Sequence, residues 1–132
     1  MRIVVGVGCD RGTPLETLEA ALDQALTLTG LGRETVCGLA TIDRKHDEAC
    51  ILSLAAQQQW PVQFFSAEQL AQVPVPNPSA TVLKHMGTPA VAEAAALLAA
   101  RAGLDQLLVE KYKYRGADGR NATVSIVRTN DE

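Results

Sequence analysis

Residues suited to binding an anion are concentrated in Val7–Pro14, where a β-branched run passes into a helical pattern. Gly6, just before this segment, and Gly8 and Gly12 within it would let the backbone turn tightly and approach a ligand without a Cβ in the way. Thr13 is an N-cap candidate, with Pro14 at the first helical position and Glu16 in a capping-box arrangement. Unpaired N–H groups at a helix start attract carboxylates and phosphates, and Arg11 adds a full charge. The turn therefore predicts the floor of an anion-binding site.

Two nucleotide-binding motifs do not fit this turn. The glycines read G-x-G-x-x-x-G, one residue longer than the dinucleotide fingerprint, and no acidic residue follows on a second strand at the required ~20-residue distance. No Gly-Lys-Ser/Thr closes the loop, which excludes a P-loop. A generic anion site remains, beside the alternative that the turn only caps a helix.

The three cysteines, Cys9, Cys37 and Cys50, are too few and too widely spaced for a disulfide framework. Together with the two histidines they form no zinc-binding spacing, so the sequence predicts no metal site. Cys37 and Cys50 lie in apolar segments and are expected in the core. Cys9 lies near a helix start that would lower its pKa, which makes it a candidate nucleophile.

Length and composition restrict the class of protein. A chain of 132 residues fits one domain, 1–132, with 47% hydrophobic and 4% aromatic residues. A net charge of −3 and the few aromatic residues argue against a nucleic-acid partner. No apolar run approaches ~20 residues and no signal peptide is evident, so we expect a cytoplasmic protein without a membrane partner.

The first half of the chain alternates strands and helices. Ile3–Val5, a helical repeat ended by Gly30, and the apolar run 35–42 predict a βαβ unit with parallel strands. The charged stretch Asp43–Glu48 follows at the edge where such sheets bind ligands. Its lysine, Lys45, either faces a ligand there or belongs to a solvated loop.

The second half predicts a further helix, a strand at 62–65, and a brief helix capped by Ser66. The proline-rich stretch 74–79 interrupts regular structure, and Gly87-Thr88-Pro89 then repeats the Gly-Thr-Pro of the first turn at another helix start. Arms at 106–115 and 121–127 predict an antiparallel hairpin. Lys111 is the hairpin lysine expected at a ligand, while Lys113 and Arg115 are typical of edge-strand protection. Strands and helices of this kind place the chain in the α/β class.

Several segments, in order along the chain, resemble the family that contains CobE and the C-terminal domain of CbiG, proteins of cobalamin biosynthesis. The combination is specific although each piece is short. The absence of a CbiG-like N-terminal extension favours the stand-alone CobE form. The segments that carry the resemblance are Val5–Thr13, Ala40–Lys45, Asp47–Glu48, Phe65–Leu70, Val75–Ser79, Gly87–Ala96, Leu107–Lys111 and Thr123–Ile126.

The resemblance implies a three-layer α/β/α domain with a mixed, mainly parallel sheet of about five strands. It also implies a role in building the corrin ring, whose intermediates carry acetate and propionate side chains that are anionic at neutral pH. We predict no cofactor. Asp10 departs from the basic or small residue expected there, which changes the charge of the first loop. The ligand-binding residues predicted from the turn and the resemblance are Gly8, Cys9, Arg11, Gly12, Thr13, Lys45, Ser79, Thr88 and Lys111.

Three hypotheses follow for the function. The first is a module that binds a corrinoid or precorrin intermediate at its helix N-termini. The second is a hydrolase acting on a lactone or a carbon–carbon bond, because the resemblance implies lactone opening by full-length CbiG; Glu48 or Glu93 would be its general base and Cys9 a possible nucleophile. The third is an accessory subunit that docks on another enzyme of corrin synthesis.

Overall fold

The sheet has five strands in the spatial order β3-β2-β1-β5-β4. A computed structural model describes residues 2–73 and 91–129 of the chain. Strands β1, β2 and β3 pair in parallel, whereas β5 runs antiparallel to both β1 and β4. This confirms the predicted mixed sheet with its terminal hairpin. The strands are β1 (Ile3–Cys9), β2 (Val36–Ile42), β3 (Val62–Phe65), β4 (Leu107–Arg115) and β5 (Asn121–Arg128).

Helices cover both faces of the sheet, as the three-layer prediction requires. On one face α1 and α2 bury Leu18, Leu22, Ile51 and Leu54 against the apolar side chains of β1 and β5. On the other face α3 and α4 close a second core that is rich in alanine. The described helices are α1 (Leu15–Thr29), α2 (Ala49–Gln58), α3 (Ala67–Ala71) and α4 (Val91–Ala100).

The described helix ends agree with the sequence prediction except at the N-terminus of α1. Gly30 ends α1 in the left-handed conformation at φ 74°, and Ser66 begins α3 in a capping box with Gln69. The predicted capping box at Thr13 is wrong: Pro14 is the N-cap of α1, and the buried Thr13 hydroxyl donates instead to the Asp10 carbonyl at 2.6 Å. Helix α2 begins after Glu48, which is its N-cap.

Helix α4 lies directly against the backbone of β1. A Cβ on Gly6 would lie 1.9 Å from the carbonyl oxygen of Ala92 and 2.9 Å from the Cβ of Ala96. The predicted role of Gly6 in approaching a ligand is therefore wrong, since the missing side chain is needed for a helix. The small residues of α4 allow this contact, and together they place the first turn of the helix over the end of β1.

Predictions for 74–90 lie outside the described residues. They include the proline-rich stretch, Ser79, Thr88 and the second Gly-Thr-Pro. In the segments that are described, no helix has both the length and the apolar character needed to cross a membrane.

The contact between Gly6 and α4 predicts a large loss of stability on substitution. Gly6→Ala should lower the free energy of unfolding by about 1–3 kcal/mol or more, because the obstructing atoms belong to the backbone and the helix must move. Chemical denaturation followed by circular dichroism measures this change.

Gly8→Ala is the matched control in the same strand. A Cβ there would meet no described atom within 4 Å, so its free energy of unfolding should stay close to that of the wild type. Equal stability of the Gly6→Ala and Gly8→Ala variants would contradict the close contact.

Candidate functional site

A cleft of ≈ 340 Å³ opens at the carboxyl ends of β1 and β2. The end of β4 and the start of β5 form its second side, and the first turn of α4 forms its third. This is the edge of the sheet at which the sequence places a ligand. The described residues that line the cleft are Gly8, Cys9, Asp10, Arg11, Ile42, Lys45, Val91, Ala92, Glu93, Lys111, Lys113, Asn121 and Thr123.

The first loop already binds an anion, and that anion is the side chain of Glu48. The Gly12 N–H donates to Glu48 Oε2 at 3.1 Å, and Arg11 donates to Glu48 Oε1 at 3.2 Å. Glu48 is only 3% exposed, and the hydrogen bonds from Gly12 and Arg11 offset the cost of burying its carboxylate. The predicted anion-binding position therefore exists in the loop, but a carboxylate of the chain itself fills it.

The Arg11 guanidinium is hydrogen-bonded to other groups of the protein. Besides Glu48, its guanidinium donates to Asp47 at 2.8 Å and to the Arg44 carbonyl at 2.9 Å. The hydrogen bond from Arg11 lowers the pKa of Asp47, and the same pair raises the pKa of Arg11. Arg11 thus lines the cleft while it also ties the loop after β1 to the loop after β2.

The hairpin fixes the same loop from the opposite side. The Asp10 carboxylate accepts hydrogen bonds from the Asn121 backbone N–H at 2.8 Å and from the Asn121 side chain at 3.2 Å. Arg120 donates through Nε to the Arg11 carbonyl at 3.0 Å. Asp10, which is acidic where a basic or small residue was expected, is therefore bound to the hairpin. The loop after β1 is held between the loop after β2 and the hairpin.

Three lysines face the cleft from two sides. Lys45 comes from the short turn after β2, and Lys111 and Lys113 come from β4. Val109 of β4 pairs with Ile126 of β5, and the next pair is Tyr112 with Val124. A step of three residues along β4 therefore matches a step of two along β5, which leaves one extra residue in β4. This bulge lies beside Lys111; such bulges re-aim neighbouring side chains next to functional sites.

Lys111 contacts a buried carboxylate. Its Nζ lies 3.7 Å from Oε1 of Glu93, a residue that is 0% exposed although it lines the cleft. Neither Glu93 oxygen has a hydrogen-bond partner among the described residues. Burial raises the pKa of Glu93 to about 7 against the opposing effect of Lys111, so the carboxyl group titrates near neutral pH.

Cys9 and Cys50 meet behind the cleft floor. Their sulfurs lie 3.8 Å apart, and the hydrogen bond between them lowers the pKa of Cys9 and raises the pKa of Cys50. Lys45 also lowers the pKa of Cys9. As predicted, Cys50 is buried in the core, but no local sequence pattern indicates its contact with Cys9.

The predicted site residues divide into three groups. Gly8, Cys9, Arg11, Lys45, Lys111 and Glu93 line the cleft. Gly12, Thr13 and Glu48 are absent from the described lining and support the loop beneath it. Ser79 and Thr88 lie outside the described residues.

Sequence reasoning missed Lys113, Asn121 and Thr123 as lining residues. The hairpin prediction contained the signal that places them. With the turn at 116–120, Lys113 pairs with Thr123, and alternate residues of β4 and β5 face the same side of the sheet. Lys113, interpreted only as edge protection, therefore shares the cleft with Lys111.

Comparisons with known proteins agree with the resemblance. Residues 3–127 match the family model described as Cobalamin synthesis G C-terminus. The chain is 32% identical over 124 residues to Cobalt-precorrin-5A hydrolase of Priestia megaterium, across 94% of this chain and 31% of the hydrolase. It is 34% identical over 100 residues to Protein CobE of Sinorhizobium sp., across 74% of this chain and 65% of that protein.

A solved structure supports the same assignment. The crystal structure of CobE at 1.7 Å resolution, a protein from the cobalamin (vitamin B12) biosynthetic pathway, has a TM-score of 0.78 and 33% identity. The match covers 97% of this chain and 95% of that one. By contrast, the chain spans 31% of the hydrolase and 65% of the Sinorhizobium protein. The chain belongs to the cobalamin biosynthesis family of CobE and the CbiG C-terminal domain.

Proposed function

We propose that the chain binds a corrinoid intermediate of cobalamin synthesis and contacts the peripheral carboxylates of that intermediate. The observation that carries the proposal is the convergence of Lys45, Lys111 and Lys113 on one cleft. Lysine ammonium groups form charge-assisted hydrogen bonds with carboxylates, and the ring of a corrin intermediate carries several carboxylates. Membership of a cobalamin biosynthesis family makes this anion the natural candidate.

The cleft suits one edge of a macrocycle. Ile42, Val91 and Ala92 supply an apolar wall between the charged sides. Its volume of ≈ 340 Å³ is near the lower end of the ~300–1,000 Å³ typical of sites for drug-sized ligands. A corrin with its side chains is larger than such ligands, so we infer that the cleft holds the carboxylates of one edge and leaves the rest of the ring outside.

The groups proposed to bind the anion differ from those first predicted. The backbone amide of Gly12 donates to Glu48, so the first Gly-Thr-Pro turn has a protein carboxylate as its ligand. Lysine side chains therefore replace the start of α1 as the principal anion-binding groups in the proposal. Docking on other corrin-pathway enzymes and a cytoplasmic location stay predictions.

Glu93 supports a second candidate function, a hydrolase. A general base works best when its pKa lies near the operating pH, and the pKa of Glu93 is about 7. Glu93 also lines the cleft, whereas Glu48 is held by Gly12 and Arg11. One relative is named Cobalt-precorrin-5A hydrolase, but the chain spans only 31% of it, so we place binding first and hydrolysis second.

Replacing Lys113 should weaken the binding of an anionic corrinoid. The probe is cobyrinic acid, a cobalt corrinoid with free acetate and propionate side chains, titrated while its absorbance is recorded. One charge-assisted hydrogen bond contributes ~1.5–3 kcal/mol, so Lys113→Gln should raise the Kd by about tenfold or more. Added salt should weaken binding by the wild type.

Arg128→Gln is the matched control, because Arg128 is exposed at the end of β5 that pairs with Ile3, away from the cleft. It removes the same charge and should leave the Kd unchanged. Cobinamide, in which amides replace all of the side-chain carboxylates, should bind more weakly than cobyrinic acid. Equal losses of affinity in Lys113→Gln and Arg128→Gln, or no saturable binding by the wild type, would reject the proposal.

The titration of Glu93 should make binding depend on pH. Below its pKa of about 7 the group is neutral, and above it the carboxylate repels an anionic ligand and pairs with Lys111. The Kd of the wild type for cobyrinic acid should therefore rise as the pH rises through about 7. Glu93→Gln, which keeps a neutral side chain of similar shape, should show a much flatter dependence.

Glu16→Gln is the control for this pH series, since Glu16 is an exposed residue of α1 outside the cleft. An unchanged pH dependence in Glu93→Gln would remove Glu93 from the site. For the hydrolase candidate, the wild type must also open the lactone of a precorrin substrate, and Glu93→Gln must bind without turnover. Saturable binding by a wild type that shows no turnover would reject that candidate alone.

A further inference from the structure

Three side chains that commonly ligate transition metals converge behind the cleft floor. Cys9 ends β1, Glu48 is the N-cap of α2, and Cys50 lies in the first turn of α2. Their ligating atoms all lie within 4.8 Å of one another. Because the two cysteines are 41 positions apart, only the fold brings them together.

The distance between the two sulfurs matches a tetrahedral metal site. Thiolates bind Zn²⁺ at ~2.3 Å, and two such bonds at the tetrahedral angle place the sulfurs ~3.8 Å apart. The Sγ atoms of Cys9 and Cys50 lie 3.8 Å apart, so both could ligate one ion without moving relative to each other. The same distance also fits a simple thiol–thiol hydrogen bond, and titration with Co²⁺ distinguishes a metal site from such a bond.

The charges around the cluster also suit a divalent cation. Two thiolates and the Glu48 carboxylate would carry three negative charges, two of which a divalent ion offsets. The Arg11 guanidinium, which Asp47 shares, donates to the same Glu48 carboxylate. A bound metal would displace the thiol protons of Cys9 and Cys50. Glu48 can keep its bond to Gly12 while another lone pair faces the metal.

We propose that Cys9, Glu48 and Cys50 bind one thiophilic divalent cation, such as Zn²⁺ or Co²⁺. Glu48 and Cys50 are both 3% exposed, so the ion would be shielded on the protein side. Cys9 is the member that lines the cleft, and the ion would therefore lie at the cleft floor. Water or an oxygen atom of a bound molecule would complete its coordination. Metal binding here can be measured without a corrinoid, although Cys9 also lines the cleft proposed to bind one.

Titration of the reduced protein with Co²⁺ tests the site, because thiolate ligation gives a charge-transfer band in the near ultraviolet and tetrahedral geometry gives intense visible bands. We expect saturation at one Co²⁺ per chain and displacement of the bands by Zn²⁺. Cys9→Ser and Cys50→Ser should each lose the two-thiolate spectrum. Cys37→Ser, the matched control, should keep it, since Cys37 packs against the other core.

A second measurement uses only the wild type, in case a serine variant fails to fold by circular dichroism. Zn²⁺ should slow the alkylation of Cys9 by iodoacetamide, followed by peptide mass spectrometry, and should leave the rate at Cys37 unchanged. The proposal is overturned if the wild type gives no thiolate-to-Co²⁺ band, if folded Cys9→Ser or Cys50→Ser keeps the wild-type spectrum, or if Zn²⁺ leaves the alkylation of Cys9 unchanged.

Discussion

The contact between Gly6 and the backbone of α4 is the constraint on which the cleft depends. Any side chain at position 6 would occupy the place of the Ala92 carbonyl, and the helix would have to move away from β1. With the helix in place, Glu93 is buried at the edge of the sheet and lies 3.7 Å from Lys111. That burial raises the pKa of Glu93 to about 7 and so produces the one titratable carboxyl group for which we expect a role near neutral pH.

The Glu48 carboxylate occupies the groups of the first loop that were predicted to bind a ligand. Glu48 accepts from Gly12 and Arg11, and Asp47 accepts from Arg11 as well, so the donors of this loop are already bound to protein carboxylates. This arrangement makes the loop a rigid floor, because its conformation is fixed by charge-assisted hydrogen bonds. Binding of an anionic rim then depends on the lysines at the sides of the cleft.

Local sequence patterns were sufficient for the order and type of the described elements, since apolar periodicity, Gly30 and the Ser66–Gln69 capping box act over a few residues. They also predicted that Lys45 lies at the edge formed by the carboxyl ends of the parallel strands, where it lines the cleft. Contacts between distant residues could not be predicted in this way. The partners of Gly12 and Cys9 lie 36 and 41 positions away, and the bulge beside Lys111 depends on the register of β4 against β5.

A crystal structure of the chain with cobyrinic acid bound would test the central claim most directly. The account predicts that carboxylates of one ring edge lie within hydrogen-bonding distance of the Nζ atoms of Lys111 and Lys113, with the ring against Ile42 and Ala92. A ring bound instead in the second hollow of the described surface, between Pro14, Thr17, Tyr114 and Gly116, would contradict it.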